Sequence, residues 1–195
     1  MDSKFKLITN SFGEDRFKFN EEVKNYTLLN IGGPAKLFFI AFTTHEIIKI
    51  VNISRELKVP FLLLGTGSKV MLSDNGFSGL VIKNRTKSIK TVSVKGKVTK
   101  FGIGVEEALV EVESGVSINK FVEYLESQNL STDEFKNIPG SIGGNLFMNA
   151  FLQNRTKSIK VLTQNGDLEE ITLNLLSLKK HIILSALFKI KAKLT

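Results

Sequence analysis

Lys36-Leu37-Phe38-Phe39-Ile40-Ala41-Phe42 is a nearly unbroken apolar run, and Thr43-Thr44-His45-Glu46 follows at once. The run reads as a buried strand, and Thr43 with Glu46 three residues on has the spacing of a capping box, which predicts a helix directly after the strand. Ile47, Ile50, Val51, Ser54 and Leu57 fall on one face of that helix. Pro60 stops the pattern, and Phe61 to Leu64 reads as a second, wholly apolar strand. Strand, helix, strand is a βαβ unit, and the turn leaving its second strand is where such sheets bind ligands. That turn is Gly65-Thr66-Gly67-Ser68.

Downstream the pattern changes. Lys90–Val94, Lys97–Ile103 and Ala108–Glu113 each read as a strand with period-two stretches, pointing to mainly antiparallel pairing. A helix interrupts them, with Ser117 as N-cap, Ile118, Phe121, Val122 and Leu125 as its buried face, and Asn129 at its end. Ser158–Gln164 and Leu168–Leu173 flank Asn165-Gly166, a strong hairpin signal, and His181–Lys191 is the final strand. The reading is α+β in two lobes. Residues 1–18 form a polar lead, 19–83 a small βαβ lobe, and 84–195 a larger, mainly antiparallel sheet lobe with helices.

The 195 residues are 42% hydrophobic and 24% charged, enough to bury one ordinary core and too apolar for a long disordered tail. The absence of Cys excludes disulfides, thiolate metal sites and a cysteine nucleophile, and with two His no metal centre is expected. With no signal-peptide h-region and no membrane-length apolar run, a cytoplasmic protein without membrane contact is expected. The net charge of +8 invites a nucleic-acid reading, but 23 of the 27 basic residues are Lys, the poorer choice for bidentate recognition. The charge is segregated: residues 83–100 hold seven basic and no acidic residues. We take this stretch as solvated strand faces, so nucleic acid is not the expected partner. The heptapeptide Asn-Arg-Thr-Lys-Ser-Ile-Lys occurs at both 84–90 and 154–160, each copy leading into a strand.

Three glycine-bearing segments carry the chemistry. They are Asn30-Ile31-Gly32-Gly33-Pro34-Ala35, Leu64-Gly65-Thr66-Gly67-Ser68-Lys69 with Asp74 to Ile82 after it, and Ile138-Pro139-Gly140-Ser141-Ile142-Gly143-Gly144-Asn145, ending in Met148-Asn149-Ala150. Glycine permits positive φ and close backbone approach, and successive free N–H groups form concavities for anions. None of the segments is a P-loop or a Gly-x-Gly-x-x-Gly fingerprint. Singly, each is also what a plain tight turn looks like.

In this order the three segments resemble the UDP-N-acetylenolpyruvoylglucosamine reductase (UDP-N-acetylmuramate dehydrogenase, MurB) family, from about Asn25 to Lys191. The resemblance implies an FAD-binding domain of the PCMH, or vanillyl-alcohol-oxidase, type. It further implies non-covalent FAD, NADPH as co-substrate and an enolpyruvyl UDP-sugar substrate in peptidoglycan synthesis. Carried over, Gly65, Thr66, Gly67 and Ser68 would wrap the FAD pyrophosphate. Gly140, Ser141, Gly143, Gly144 and Asn149 would lie against pyrophosphate and flavin, and Gly115 near the ring. Ile82 and Ile183 would be apolar cofactor neighbours or simple core side chains.

The departures bear on activity. Thr66 replaces a glycine, Lys69 an asparagine, and Phe151 stands where the family has a glycine. Leu173 to Lys180 lacks the family's Tyr-Arg segment, and the family's third, substrate-binding domain with its proton-donating serine is expected to be absent. No catalytic residue is assigned. The resemblance therefore implies a flavoprotein incomplete as a stand-alone catalyst, or one completed by a protein partner. The alternatives are a non-catalytic flavin- or nucleotide-binding module, or a scaffold reused for an anionic partner.

Overall fold

The computed structural model describes residues 3–99 and 102–193. The chain folds as two compact units, Met1–Thr86 and Lys87–Thr195. In the first, helix α1 (Ser3–Asn10) leads into β1 (Phe17–Glu22), β2 (Pro34–Ala41), helix α2 (Thr44–Glu56), β3 (Phe61–Leu64) and β4 (Phe77–Asn84). The four strands form one sheet in the order β1-β2-β4-β3.

The capping box at the start of α2 is formed in full. The Thr43 side chain accepts from the Glu46 N–H, and the Glu46 carboxylate accepts from the Thr43 N–H and, at 2.7 Å, from the Phe42 N–H. Glu46 also takes an ion pair from Arg16 at 2.8 Å, which ties the segment before β1 to the start of α2. Ile47, Ile50, Val51 and Ser54 are buried on the helix, whereas Leu57 is its half-buried C-cap.

The βαβ expectation is corrected in one respect. β2 and β3 do not pair with each other; each runs parallel to β4, which lies between them. From Leu80 to Asn84 every β4 residue is buried, as a strand covered on both faces must be. The N-terminal segment also differs from a polar lead: Ile8 and Phe17 are buried, and β1 pairs antiparallel with β2. Phe12, Phe17 and Phe39 stack there with ring centroids 4.9 to 6.2 Å apart.

The second unit holds β5 (Ile89–Thr99), β6 (Gly102–Glu113), helices α3 (Ile118–Ser127), α4 (Ile142–Leu146) and α5 (Ala150–Arg155), then β7 (Thr156–Leu162), β8 (Leu168–Ile171) and β9 (Ile182–Lys191). Its five-stranded sheet runs β5-β6-β9-β7-β8 with every pairing antiparallel. The stretch 97–103, read from sequence as one strand, falls on two: Thr99 ends β5 and pairs with Gly102 of β6, and residues 100–101 lie outside those described. Ser117 caps α3 as expected, accepting from the Lys120 N–H, and Phe121 packs against Phe135 and Phe188 in the core. Asn165-Gly166 makes the β7–β8 turn, with Gly166 at φ 91°.

The repeated heptapeptide takes two conformations. The first copy closes β4 and reaches β5 through a loop in which Asn84 Oδ1 accepts from Thr86; the second closes α5 and is strand from Thr156 onward. Among the described residues no helix is long and apolar enough to cross a membrane. Replacing Thr43 with Ala removes one half of the α2 cap. We expect a loss of about 1 kcal/mol in chemical denaturation, with the spectrum of the folded protein unchanged.

Candidate functional site

The Gly65–Ser68 turn leaves the carboxyl end of β3 and is laid against the Tyr26–Leu28 segment. Leu28 donates its N–H to Gly67 O at 3.1 Å, and Lys83 Nζ donates to Gly65 O at 2.6 Å and to Tyr26 O at 3.3 Å. A trans peptide carries its C=O and the following N–H on opposite sides. With the Gly65 carbonyl turned to Lys83, the Thr66 N–H points away from it. With the Gly67 carbonyl turned to Leu28, the Ser68 N–H does the same. Among the described residues nothing accepts from the N–H groups of Thr66, Gly67 or Ser68. Three successive donors without an acceptor, with the Thr66 and Ser68 hydroxyls 3.3 Å apart beside them, are the kind of groups that hold a phosphate.

Gly67 is required for this shape. Its φ is 83°, and a Cβ there would lie 2.1 Å from Tyr26 O. Close approach also joins the other glycine segments of this unit: a Cβ on Gly33 would meet Asp74 O at 2.1 Å, and Gly33 N donates to Ser73 O. The Asn30–Ala35 segment thus braces the chain that follows the phosphate-suited turn.

The other carried-over residues lie in the second unit. Gly140 O accepts from Ile118 N, Ile142 N donates to Val116 O and Gly143 N to Ser114 O, so Gly115, Gly140, Ser141 and Gly143 are gathered around one turn. Of their backbone donors the Gly143 N–H is spent on Ser114 O, whereas nothing among the described residues accepts from the N–H groups of Gly140 and Ser141. Gly143 is needed for space, since its Cβ would meet Ser114 Cβ at 3.0 Å, whereas one on Gly144 would make ordinary contact. Asn149 caps α5, its side chain accepting from Phe151 and Leu152. Ile82 and Ile183 are buried strand residues, Ile82 paired with Phe39 and Leu63 and Ile183 with Val161. Phe151 and Met148 are exposed.

Two residues escaped the sequence reading. Lys83, taken there as part of a solvated basic stretch, is buried and holds the phosphate-suited turn. Its signal was a lone charge closing the run Leu80-Val81-Ile82. Asn145 is fully buried, its amide donating to Pro139 O and Ser141 O while its Oδ1 has no partner among the described residues.

The family model "FAD binding domain" matches residues 35–172 of the chain. The chain belongs to this family. It is 29% identical over 180 residues to the UDP-N-acetylenolpyruvoylglucosamine reductase of Alkaliphilus oremlandii, covering 89% of this chain and 55% of that protein. The chain therefore spans about half the length of the curated relatives it matches. Among solved structures it resembles the UDP-N-acetylenolpyruvylglucosamine reductase (MurB) of Thermus caldophilus, at 22% identity and TM-score 0.63, over 91% of this chain and 62% of that one. It also resembles p-cresol methylhydroxylase with substrate bound, at 15% identity and TM-score 0.60, over 99% of this chain and 44% of that one. These likenesses establish the α+β fold of the PCMH type read from the sequence.

The turn fits a pyrophosphate by its unspent donors, so the residues present suit the group that the family name implies. Gly67→Ala places a side chain on backbone oxygen at an unfavourable φ, and we expect a loss on the order of 1–3 kcal/mol in chemical denaturation. Gly144→Ala, on a helix with only ordinary contact to the Ser141 hydroxyl, should be neutral or stabilising by up to about 1 kcal/mol.

Proposed function

We propose that the chain is the flavin-holding part of a flavoenzyme of the UDP-N-acetylenolpyruvoylglucosamine reductase type, acting in the cytoplasm in cell-wall peptidoglycan synthesis. In this reading the N–H groups of Thr66, Gly67 and Ser68 grip the FAD pyrophosphate, and the Ser68 hydroxyl adds a donor. Gly115, Gly140, Ser141, Gly143, Gly144 and Asn149 shape backbone near the flavin, and Ile82 and Ile183 support the walls from within the strands. The observation that carries it is the row of unspent backbone donors at the end of β3. FAD, when bound, supplies a reversible hydride acceptor. NADPH would be the hydride source and an enolpyruvyl UDP sugar the substrate.

The residues of this chain bind and orient; we assign none of them to proton transfer. Leu173–Lys180 contains neither Tyr nor Arg, and its Ser177 N–H is directed to His181 Nδ1 at 3.2 Å. A positioned proton donor contributes on the order of a hundred- to ten-thousand-fold in rate, so these 195 residues alone should turn over slowly unless a protein partner completes the site.

The absorbance spectrum of the purified protein, taken before and after incubation with FAD and desalting, tests the reading. Flavin bands that survive desalting are expected, with NADPH oxidation in the presence of the UDP sugar slow or undetectable. A protein that retains no flavin would defeat the proposal, and brisk substrate-dependent oxidation would defeat its claim of slow turnover.

A further inference from the structure

Lys83 is a buried cation, 5% exposed, in a strand whose neighbours are apolar. Its Nζ bonds are to two carbonyl oxygens, of Gly65 and Tyr26, and among the described residues no carboxylate comes within ion-pairing distance. The charged and titratable groups around it do not neutralise it. Arg85, just past the end of β4, has the same sign and acts on it through space. The Tyr26 ring lies 5.8 Å from Nζ, but its hydroxyl is committed to Glu21 at 2.6 Å and accepts from Lys18 at 3.0 Å on β1. An ammonium taken out of water without a counter-ion is costly and leaves a positive field unspent. That field stands directly behind the phosphate-suited turn.

We propose that Lys83 is the positioning residue of this turn: its ammonium keeps the Gly65 carbonyl turned inward, so that the Thr66 N–H faces a bound phosphate, and its unneutralised charge strengthens the hold on that dianion. The inference rests on the phosphate-binding reading of Gly65–Ser68 and extends it to how the turn is regulated. Burial first, and the like charge of Arg85 second, push the Lys83 pKa down from 10.5 to about 8. The ammonium is therefore present below pH 8 and lost as pH rises through it. The unfolded chain keeps its proton to about 10.5, so between these values unfolding takes up a proton and the fold as a whole gains stability. Loosening in this window is confined to the turn.

Two measurements separate this inference from the flavin reading. The first follows the carbonyl carbon resonances of Gly65 and Tyr26 in flavin-free protein between about pH 7 and about pH 9.5. Both should titrate together with a midpoint near 8, and the titration should vanish in Lys83→Met. The second is FAD affinity by difference absorbance. We expect Lys83→Met to bind about tenfold more weakly at neutral pH, Lys83→Arg to stay within about threefold, and wild type to weaken as pH rises while Lys83→Met does not.

Carbonyl resonances that ignore pH would overturn the proposal, as would wild-type affinity in Lys83→Met. Should Lys83→Met fail to fold, the wild-type titration and Lys83→Arg still decide. A wild type that binds no FAD would overturn the flavin reading, and the carbonyl titration would still judge whether Lys83 holds the turn.

Discussion

Strand β4 has no solvent-facing side between Leu80 and Asn84, and this burial governs the first unit. A strand covered on both faces must find partners on both edges, and β4 finds β2 on one and β3 on the other, both parallel. That placement sets Leu64 at the end of β3 opposite Lys83 at the end of β4. The turn after Leu64 therefore starts beside the one charged residue in that stretch of β4, which holds the Gly65 carbonyl from within. The phosphate-suited geometry is a consequence of register as much as of glycine content.

How far the sequence discloses this depends on the range of the interactions. Helix α2 is legible because its start depends on Thr43 and Glu46, three residues apart, and its end on Pro60 close by. The Asn165-Gly166 turn is legible for the same reason. The order of the first sheet is not, because a strand that arrives last in sequence is inserted between two earlier ones. The repeated heptapeptide shows the limit directly: seven identical residues form a strand end and loop in one place and a helix end and strand in another. Tertiary partners, and not local preference, decide between them.

The site divides in the same way. Gly67 announces itself, since a positive φ in contact with backbone admits little but glycine. Lys83 does not, because the carbonyls it holds lie 18 and 57 residues away. A stretch of basic residues looks uniform in sequence, yet Arg85 and Lys87 are exposed while Lys83 is sealed inside the sheet.

The two glycine segments that look alike on paper do different physical work. In the first, Gly65 and Gly67 turn their carbonyls inward and leave N–H groups unspent, which is the electrostatic requirement for holding an anion. In the second, the Gly140 carbonyl and the Ile142 and Gly143 N–H groups are spent on the turn at Ser114 to Ile118, while the Gly140 and Ser141 N–H groups have no acceptor among the described residues, and Ser114 N in turn donates to Leu184 O of β9. Glycine there buys close packing of one loop upon another, so its residues can shape a surface near a cofactor but have fewer donors to offer it. The two segments therefore differ less in free donors, three successive N–H groups against two, than in what holds them: the first turn has its Gly65 carbonyl fixed by the buried Lys83 ammonium, and the second is held by backbone bonds and the neutral Asn145 amide.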